Sequence, residues 1–113
     1  MIIHLLNLVL AVQNTEAVKA TATYYAPRYE NRKMANGELF HEDRYTVAFN
    51  RYPLGTWIKL TNPLSGKSYI VQITDRKVGK GLDLSKKLYI DLGLSVKKGS
   101  GILLVKVIKR GEY

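Results

Sequence analysis

Residues 57–73 have the sequence WIKLTNPLSGKSYIVQI. Each end is a short segment rich in β-branched, aromatic and leucine side chains, and the middle, residues 62–66, combines Asn, Pro, Ser and Gly. Two such segments around a cluster of turn-forming residues predict a β-hairpin.

The period of two that is typical of strands recurs on both sides of this hairpin. It is seen in residues 20–25 and again in residues 45–49, where Tyr, Val and Phe alternate with other side chains. A last apolar segment, residues 102–108, follows a Gly-Ser-Gly sequence and is predicted to be the final strand.

One helix is predicted near residue 90. Ser85 is a favourable N-cap, Leu84, Leu88 and Leu92 are spaced four apart, and Gly93 is suited to end the helix. The chain therefore has about six short strands and little helix, and so many strands in so small a chain must close on each other to protect their edges. We expect a mainly β fold, a six-stranded barrel with one or two short helices.

The composition excludes some classes of function but does not identify one. The 113 residues suffice for one domain, and 18 Lys and Arg against 9 Asp and Glu give a net charge of +9. This charge favours polyanionic partners, but the basic residues form no compact run. With no Cys and only two His, the sequence predicts no disulfide, no catalytic thiol, no metal site and no cofactor.

An apolar run, residues 2–12 (IIHLLNLVLAV), precedes the predicted strands. It is too short to span a membrane and has the length of a signal-peptide core, although no Lys or Arg comes before it. We predict that residues 1–17 are a signal peptide or an unstructured leader and that residues 18–113 are the folded domain. The alternative is an extra strand or helix packed on the barrel.

Four groups of residues, in order, resemble the motifs of the rare lipoprotein A (RlpA)-like double-psi β-barrels. The matching segments are ATYY (22–25), MANGELF (34–40), YTVA with YPLGT and LTN (45–48, 52–56 and 60–62), and QITDR with LDLS (72–76 and 82–85). The resemblance implies a six-stranded double-psi barrel that covers nearly the whole predicted domain. It also implies a bacterial protein that is secreted or lies in the cell wall or periplasm, and the absence of Cys excludes a lipoprotein anchor.

Several members of this family are lytic transglycosylases, so the resemblance implies cleavage of peptidoglycan glycan strands without hydrolysis and with an anhydromuramyl product. Such cleavage needs one carboxyl group that acts first as an acid and then as a base. The motifs assign this role to Asp75 and make Glu38 the assisting carboxylate.

The chain departs from the family pattern at His41, where a carboxylate is usual, and at Phe49, which replaces a histidine. The loop that begins at Asp75 is also shorter. His41 could take over a polar catalytic role, because histidine side chains can donate or accept a proton in catalysis. The sequence therefore leaves open whether the domain is an enzyme; the alternative is a non-catalytic glycan-binding or expansin-like wall-loosening module.

Four further residues are predicted to bind substrate: Tyr24, Tyr25, Arg76 and Asp83. The tyrosines could stack on sugar rings or serve in packing, and Asp83 could instead support the start of the helix. The predicted partner is peptidoglycan or another anionic wall polymer, bound by a monomer. Specific nucleic-acid binding is not expected, because no recognition helix, phosphate-binding loop or aromatic RNA-binding motif is present.

Overall fold

The structure is a computed structural model that describes residues 16–111. The predicted leader, residues 1–17, lies almost entirely outside the described residues, so its nature remains a prediction.

Six strands close into one barrel in the order β1-β5-β2-β4-β3-β6. The strands are β1 (Val18–Tyr24), β2 (Val47–Ala48), β3 (Trp57–Thr61), β4 (Ser68–Asp75), β5 (Leu82–Leu84) and β6 (Gly101–Lys109). The pairs β1–β5 and β2–β4 are parallel, and the other four pairs are antiparallel. The expected mainly β, six-stranded barrel is confirmed.

The barrel interior holds the side chains that alternation predicts. On β3, Ile58 and Leu60 are fully buried, whereas Trp57 and Lys59 face outward. The predicted hairpin is present, with Trp57 opposite Gln72. The main core is completed by aliphatic side chains of the other strands, among them Val47, Val71, Ile73, Leu82, Leu84, Leu103 and Val105.

One α-helix, α1 (Lys86–Asp91), packs on the barrel with Leu88 and Tyr89 buried, and a 3-10 turn forms at Pro27–Tyr29. Gly93 follows the helix with a φ of 80°, as expected for a residue that ends a helix. Ser85 occupies the N-cap, but its hydroxyl makes no cap bond and instead accepts the N–H of Thr46 at 3.3 Å.

A long connection, residues 26–46, forms a cover loop on the outside of the barrel. Its middle folds back on itself, since the N–H of Asn31 bonds to the carbonyl of Phe40 at 2.9 Å. Under this loop lies a second, small cluster of buried side chains, namely Tyr25, Met34, Phe40 and Ala48. The cover loop therefore has an apolar underside that fixes it against β2.

Candidate functional site

A pairing irregularity decides where the side chain of Asp75 lies. Strict alternation along β4 would put Asp75 on the same face as Ile73, which is fully buried in the core. The β2–β4 pairing instead shifts by one residue between Val47↔Ile73 and Ala48↔Asp75, so that Thr74 is an extra residue on β4. Bulges of this kind re-aim the next side chain, and here Asp75 turns away from the core.

Contacts of two consecutive residues agree with the bulge. The hydroxyl of Thr74 donates to the Met34 sulfur at 3.3 Å, and Asp75 accepts the hydroxyl of Tyr25 at 2.6 Å. Both partners belong to the small cluster under the cover loop. Thr74 and Asp75 therefore point to the same side, toward the cover loop.

Three donors fix the Asp75 carboxylate. Oδ1 accepts the backbone N–H groups of Ala35 and Arg76, each at 2.8 Å, and Oδ2 accepts the Tyr25 hydroxyl. The side chain is only partly buried. Since a carboxylate oxygen has two acceptor positions, Oδ2 keeps one for a further partner. The group is thus held in place and remains accessible.

Tyr25 supports Asp75 from the small cluster. Its side chain is only 6% exposed, and its ring stacks on Phe40 with centroids 4.1 Å apart. Burial raises the pKa of the Tyr25 phenol far above its ordinary value, and the hydrogen bond to Asp75 raises it further. Tyr25 is therefore a permanent hydrogen-bond donor, and a ring so buried has no face open for the sugar stacking predicted from the sequence.

The other predicted stacking residue, Tyr24, is partly buried against the main core. Its ring lies 4.7 Å from that of Tyr89 and 6.0 Å from the ammonium group of Lys86. It belongs to the contact between β1 and α1, away from the small cluster that holds Tyr25.

Asp83 shares a cross-strand row with Asp75. It pairs with Thr23 on one side and Ala48 on the other, and Ala48 in turn pairs with Asp75. Strands lie 4.7–4.9 Å apart, so the two Asp Cα atoms are separated by about 10 Å. Asp83 accepts the Thr23 hydroxyl at 2.8 Å. The row therefore places a second carboxylate beside Asp75. This carboxylate belongs to Asp83, which was predicted from the sequence to bind substrate.

Glu38 lies on the cover loop, but its carboxylate is bonded locally. It accepts the side-chain amide of Asn36 at 2.5 Å, and its N–H returns a bond to Asn36 Oδ1. Glu38 lines a groove with Thr74 and Trp57 that Asp75 does not line. The cover loop thus contacts Asp75 through the backbone N–H of Ala35, while the Glu38 side chain lies in the neighbouring groove.

His41 is held by an acid that sequence reasoning missed. Its Nδ1 lies 2.6 Å from Glu30 Oε2, while Glu30 Oε1 accepts the N–H of Glu42 at 2.9 Å. The Glu42 N–H, together with His41, holds the pKa of Glu30 below its ordinary value. We call this arrangement the Glu30 clasp; it joins the two ends of the cover loop.

Arg76 and Phe49 have structural partners. The Arg76 guanidinium donates to the backbone carbonyls of Phe49 and of Tyr52, the latter at 2.7 Å. Phe49 is buried in the main core and packs edge-on against Tyr52, with ring centroids 5.7 Å apart. Arg76 therefore stabilises the connection between β2 and β3 through hydrogen bonds to its backbone. Phe49 contributes apolar packing at a position where the family has a polar side chain.

Residues 16–111 contain neither a candidate metal site nor a candidate membrane-spanning helix. These residues contain no group of three His, Cys, Asp or Glu that could hold a metal ion. Over the same range, no helix has both the length and the apolar character needed to cross a bilayer.

Sequence comparison places the chain among RlpA relatives, although no family model matches it. It is 38% identical to an uncharacterized Synechocystis protein over 69 residues, which cover 61% of this chain and 76% of the relative. It is 38% identical to the probable endolytic peptidoglycan transglycosylase RlpA of Treponema pallidum, covering 65% of this chain and 24% of that protein. Identity to RlpA of Pasteurella multocida is 34%, with 76% and 29% covered. The chain thus spans only about a quarter of the length of these two RlpA proteins.

Solved structures share the fold at low identity. Cerato-platanin 3 of M. perniciosa superposes with a TM-score of 0.63 at 16% identity, over 81% of this chain and 95% of that one. An expansin of Clavibacter michiganensis gives 0.59 at 23% identity, over 86% and 52%. Sequence similarity to RlpA and the closed six-stranded barrel together show that the chain belongs to the RlpA-like double-psi β-barrel family.

Proposed function

We propose that this domain cleaves peptidoglycan glycan strands as a lytic transglycosylase, with Asp75 as its acid and base. The observation that carries the proposal is the Asp75 carboxylate, which three donors hold in place while Oδ2 keeps a free acceptor position. The relatives named as endolytic peptidoglycan transglycosylases supply the substrate class.

The proposed reaction uses a single proton carrier. Protonated Asp75 gives its proton to the glycosidic oxygen while the bond from that oxygen to C1 breaks. The 6-hydroxyl of the muramyl residue then bonds to C1 and returns its proton to Asp75. The proton balance closes without water, and the product is an anhydro sugar.

Supporting groups are proposed from their positions. Asp83, in the same cross-strand row, would stabilise the positive charge that develops near C1. Tyr25 holds the Asp75 carboxylate in place. Glu38 would contact the glycan from the adjoining groove, and His41 would act only through the Glu30 clasp.

The test is a digest of purified peptidoglycan, with anhydro-muropeptides detected by mass spectrometry. Asp75→Asn keeps an oxygen for the two backbone N–H groups but cannot carry the proton, so product formation should fall by roughly 100-fold or more. The matched control is Asp43→Asn, which changes an exposed acid of the same cover loop and should leave the rate unchanged. Equal product from Asp75→Asn and from the unmodified protein would refute the catalytic role.

A second candidate function is a wall-glycan-binding module without catalysis. It is favoured by two observations: Phe49 is buried in the core, and His41 is bonded to Glu30. This candidate predicts that the protein co-sediments with insoluble peptidoglycan and releases no anhydro product. It also predicts that the Asp75→Asn variant binds peptidoglycan as well as the unmodified protein does. Both candidates place the protein at the bacterial cell wall, after export.

A further inference from the structure

The outer face of three neighbouring strands, β4-β3-β6, combines lysines with exposed apolar side chains. We call it the basic sheet face; its main residues are Trp57, Lys59, Ile70, Ile102 and Lys106. Apart from Asp75, beyond the bulge of β4, no outward position of these strands holds an acid. Glu38 borders the face, in the groove that Trp57 and Ile70 also line.

Two of these lysines oppose each other directly. Lys59 pairs with Lys106 across the antiparallel β3–β6 ladder. Directly opposed side chains have Cβ atoms about 5 Å apart, and like charges in this arrangement are destabilising. Within the described part of the chain, neither ammonium group forms an ion pair with a carboxylate. An anionic partner lying on this face would remove the repulsion.

The apolar residues of the face indicate what kind of anion it fits. Ile70 is 55% exposed, Ile102 48% and Trp57 40%. A sugar ring can stack on Trp57, but a hydrated polymer of phosphates or sugars has no apolar interior in which isoleucine side chains could be buried. The interface of a lipid bilayer offers anionic headgroups for lysines, an acyl boundary for isoleucines and a favourable level for tryptophan.

We propose that the basic sheet face docks on a lipid bilayer that carries anionic phospholipids. The strands β5 and β2 lie on the other side of the barrel, and Asp83 with them. Docking would therefore leave Asp83 facing away from the membrane, whereas Asp75, past the bulge at the end of β4, would lie at the edge of the docked face. The groove in which Glu38 lies shares Trp57 and Ile70 with the basic sheet face, but Lys59 and Lys106 take no part in the proposed cleavage site. Changing these two lysines therefore tests docking without altering the cleavage site.

The test uses the full chain and vesicles of phosphatidylcholine, with and without about a third of phosphatidylglycerol. Vesicle co-sedimentation measures binding, and Trp57, the single Trp of the chain, reports insertion by its fluorescence. We expect binding and a blue shift of the Trp57 emission with the anionic vesicles only. Lys59→Gln with Lys106→Gln should weaken partition roughly 30-fold, the loss expected for two lysines near an anionic surface.

The control double variant is Lys33→Gln with Lys86→Gln, which removes the same charge from the cover loop and from α1 and should bind as the unmodified protein does. Removing the opposed lysines should not lower the thermal midpoint, so lost binding would not reflect unfolding. Equal weakening of both double variants would overturn the proposal. Unchanged binding of Lys59→Gln with Lys106→Gln would also overturn it, and so would binding without a Trp57 shift.

Discussion

At the scale of single residues, the Tyr25 hydroxyl is the group whose removal should be most informative. Tyr25→Phe deletes the 2.6 Å hydrogen bond to Asp75 but keeps the ring stacked on Phe40. Hydrogen bonds to charged groups contribute about 1.5–3 kcal/mol, so the free energy of unfolding should fall by about that amount. Urea denaturation measures it.

The matched control for this variant is Tyr29→Phe. Tyr29 packs on the same cluster, but among residues 16–111 its hydroxyl bonds only to an exposed Arg28 side chain, so the change should stay within about 0.5 kcal/mol. A loss for Tyr25→Phe no larger than that for Tyr29→Phe would mean that the Tyr25 hydroxyl does not stabilise the fold through Asp75.

The identity of Asp75 as the main candidate could be predicted from the motifs, but its surroundings could not. Alternation gives the face of a side chain, and it would have placed Asp75 toward the core with Ile73. The extra residue at Thr74 has no local signal in the sequence. The hydrogen bond from Tyr25, 50 residues away in the chain, depends on how the cover loop packs.

At the scale of elements, the Glu30 clasp should make the cover loop sensitive to acid. The pKa of Glu30 is held below its ordinary value of 4.5, so its stabilising contribution is complete above that value and is lost as pH falls through the lowered pKa. Glu30→Gln should therefore have a lower thermal midpoint than the unmodified protein at neutral pH. The difference should disappear in strong acid, where Glu30 is itself uncharged.

Glu42→Gln is the control for the clasp. Glu42 contributes its backbone N–H to Glu30, and its carboxylate has no hydrogen bond within residues 16–111. This variant should follow the unmodified protein at every pH. A gap between Glu30→Gln and the unmodified protein that persists into strong acid would show that the charge of Glu30 is not what stabilises the loop.

The elements themselves were predictable in proportion to their length. The β3–β4 hairpin and α1 carry complete local patterns, and both form close to their predicted positions. The predicted strand at residues 45–49 is reduced to Val47–Ala48, and its register against β4 shifts between these two residues. β5 has only three residues, too few for a periodic pattern, and its parallel pairing with β1 joins positions about 60 residues apart.

At the scale of the whole molecule, a single core connects all six strands, so the barrel should unfold as one unit. Leu103, on β6, is fully buried in this core, whereas its neighbour Ile102 is 48% exposed on the outer face. Leu103→Ala should lower the free energy of unfolding by about 2–5 kcal/mol, and Ile102→Ala should lower it by less than about 1 kcal/mol.

Far-UV circular dichroism and Trp57 fluorescence should give the same urea midpoint for each protein, because the closed ladder leaves no strand that can unfold alone. Separate midpoints for the two probes would contradict a single cooperative barrel, and equal losses for Leu103→Ala and Ile102→Ala would contradict the assignment of inner and outer faces on β6.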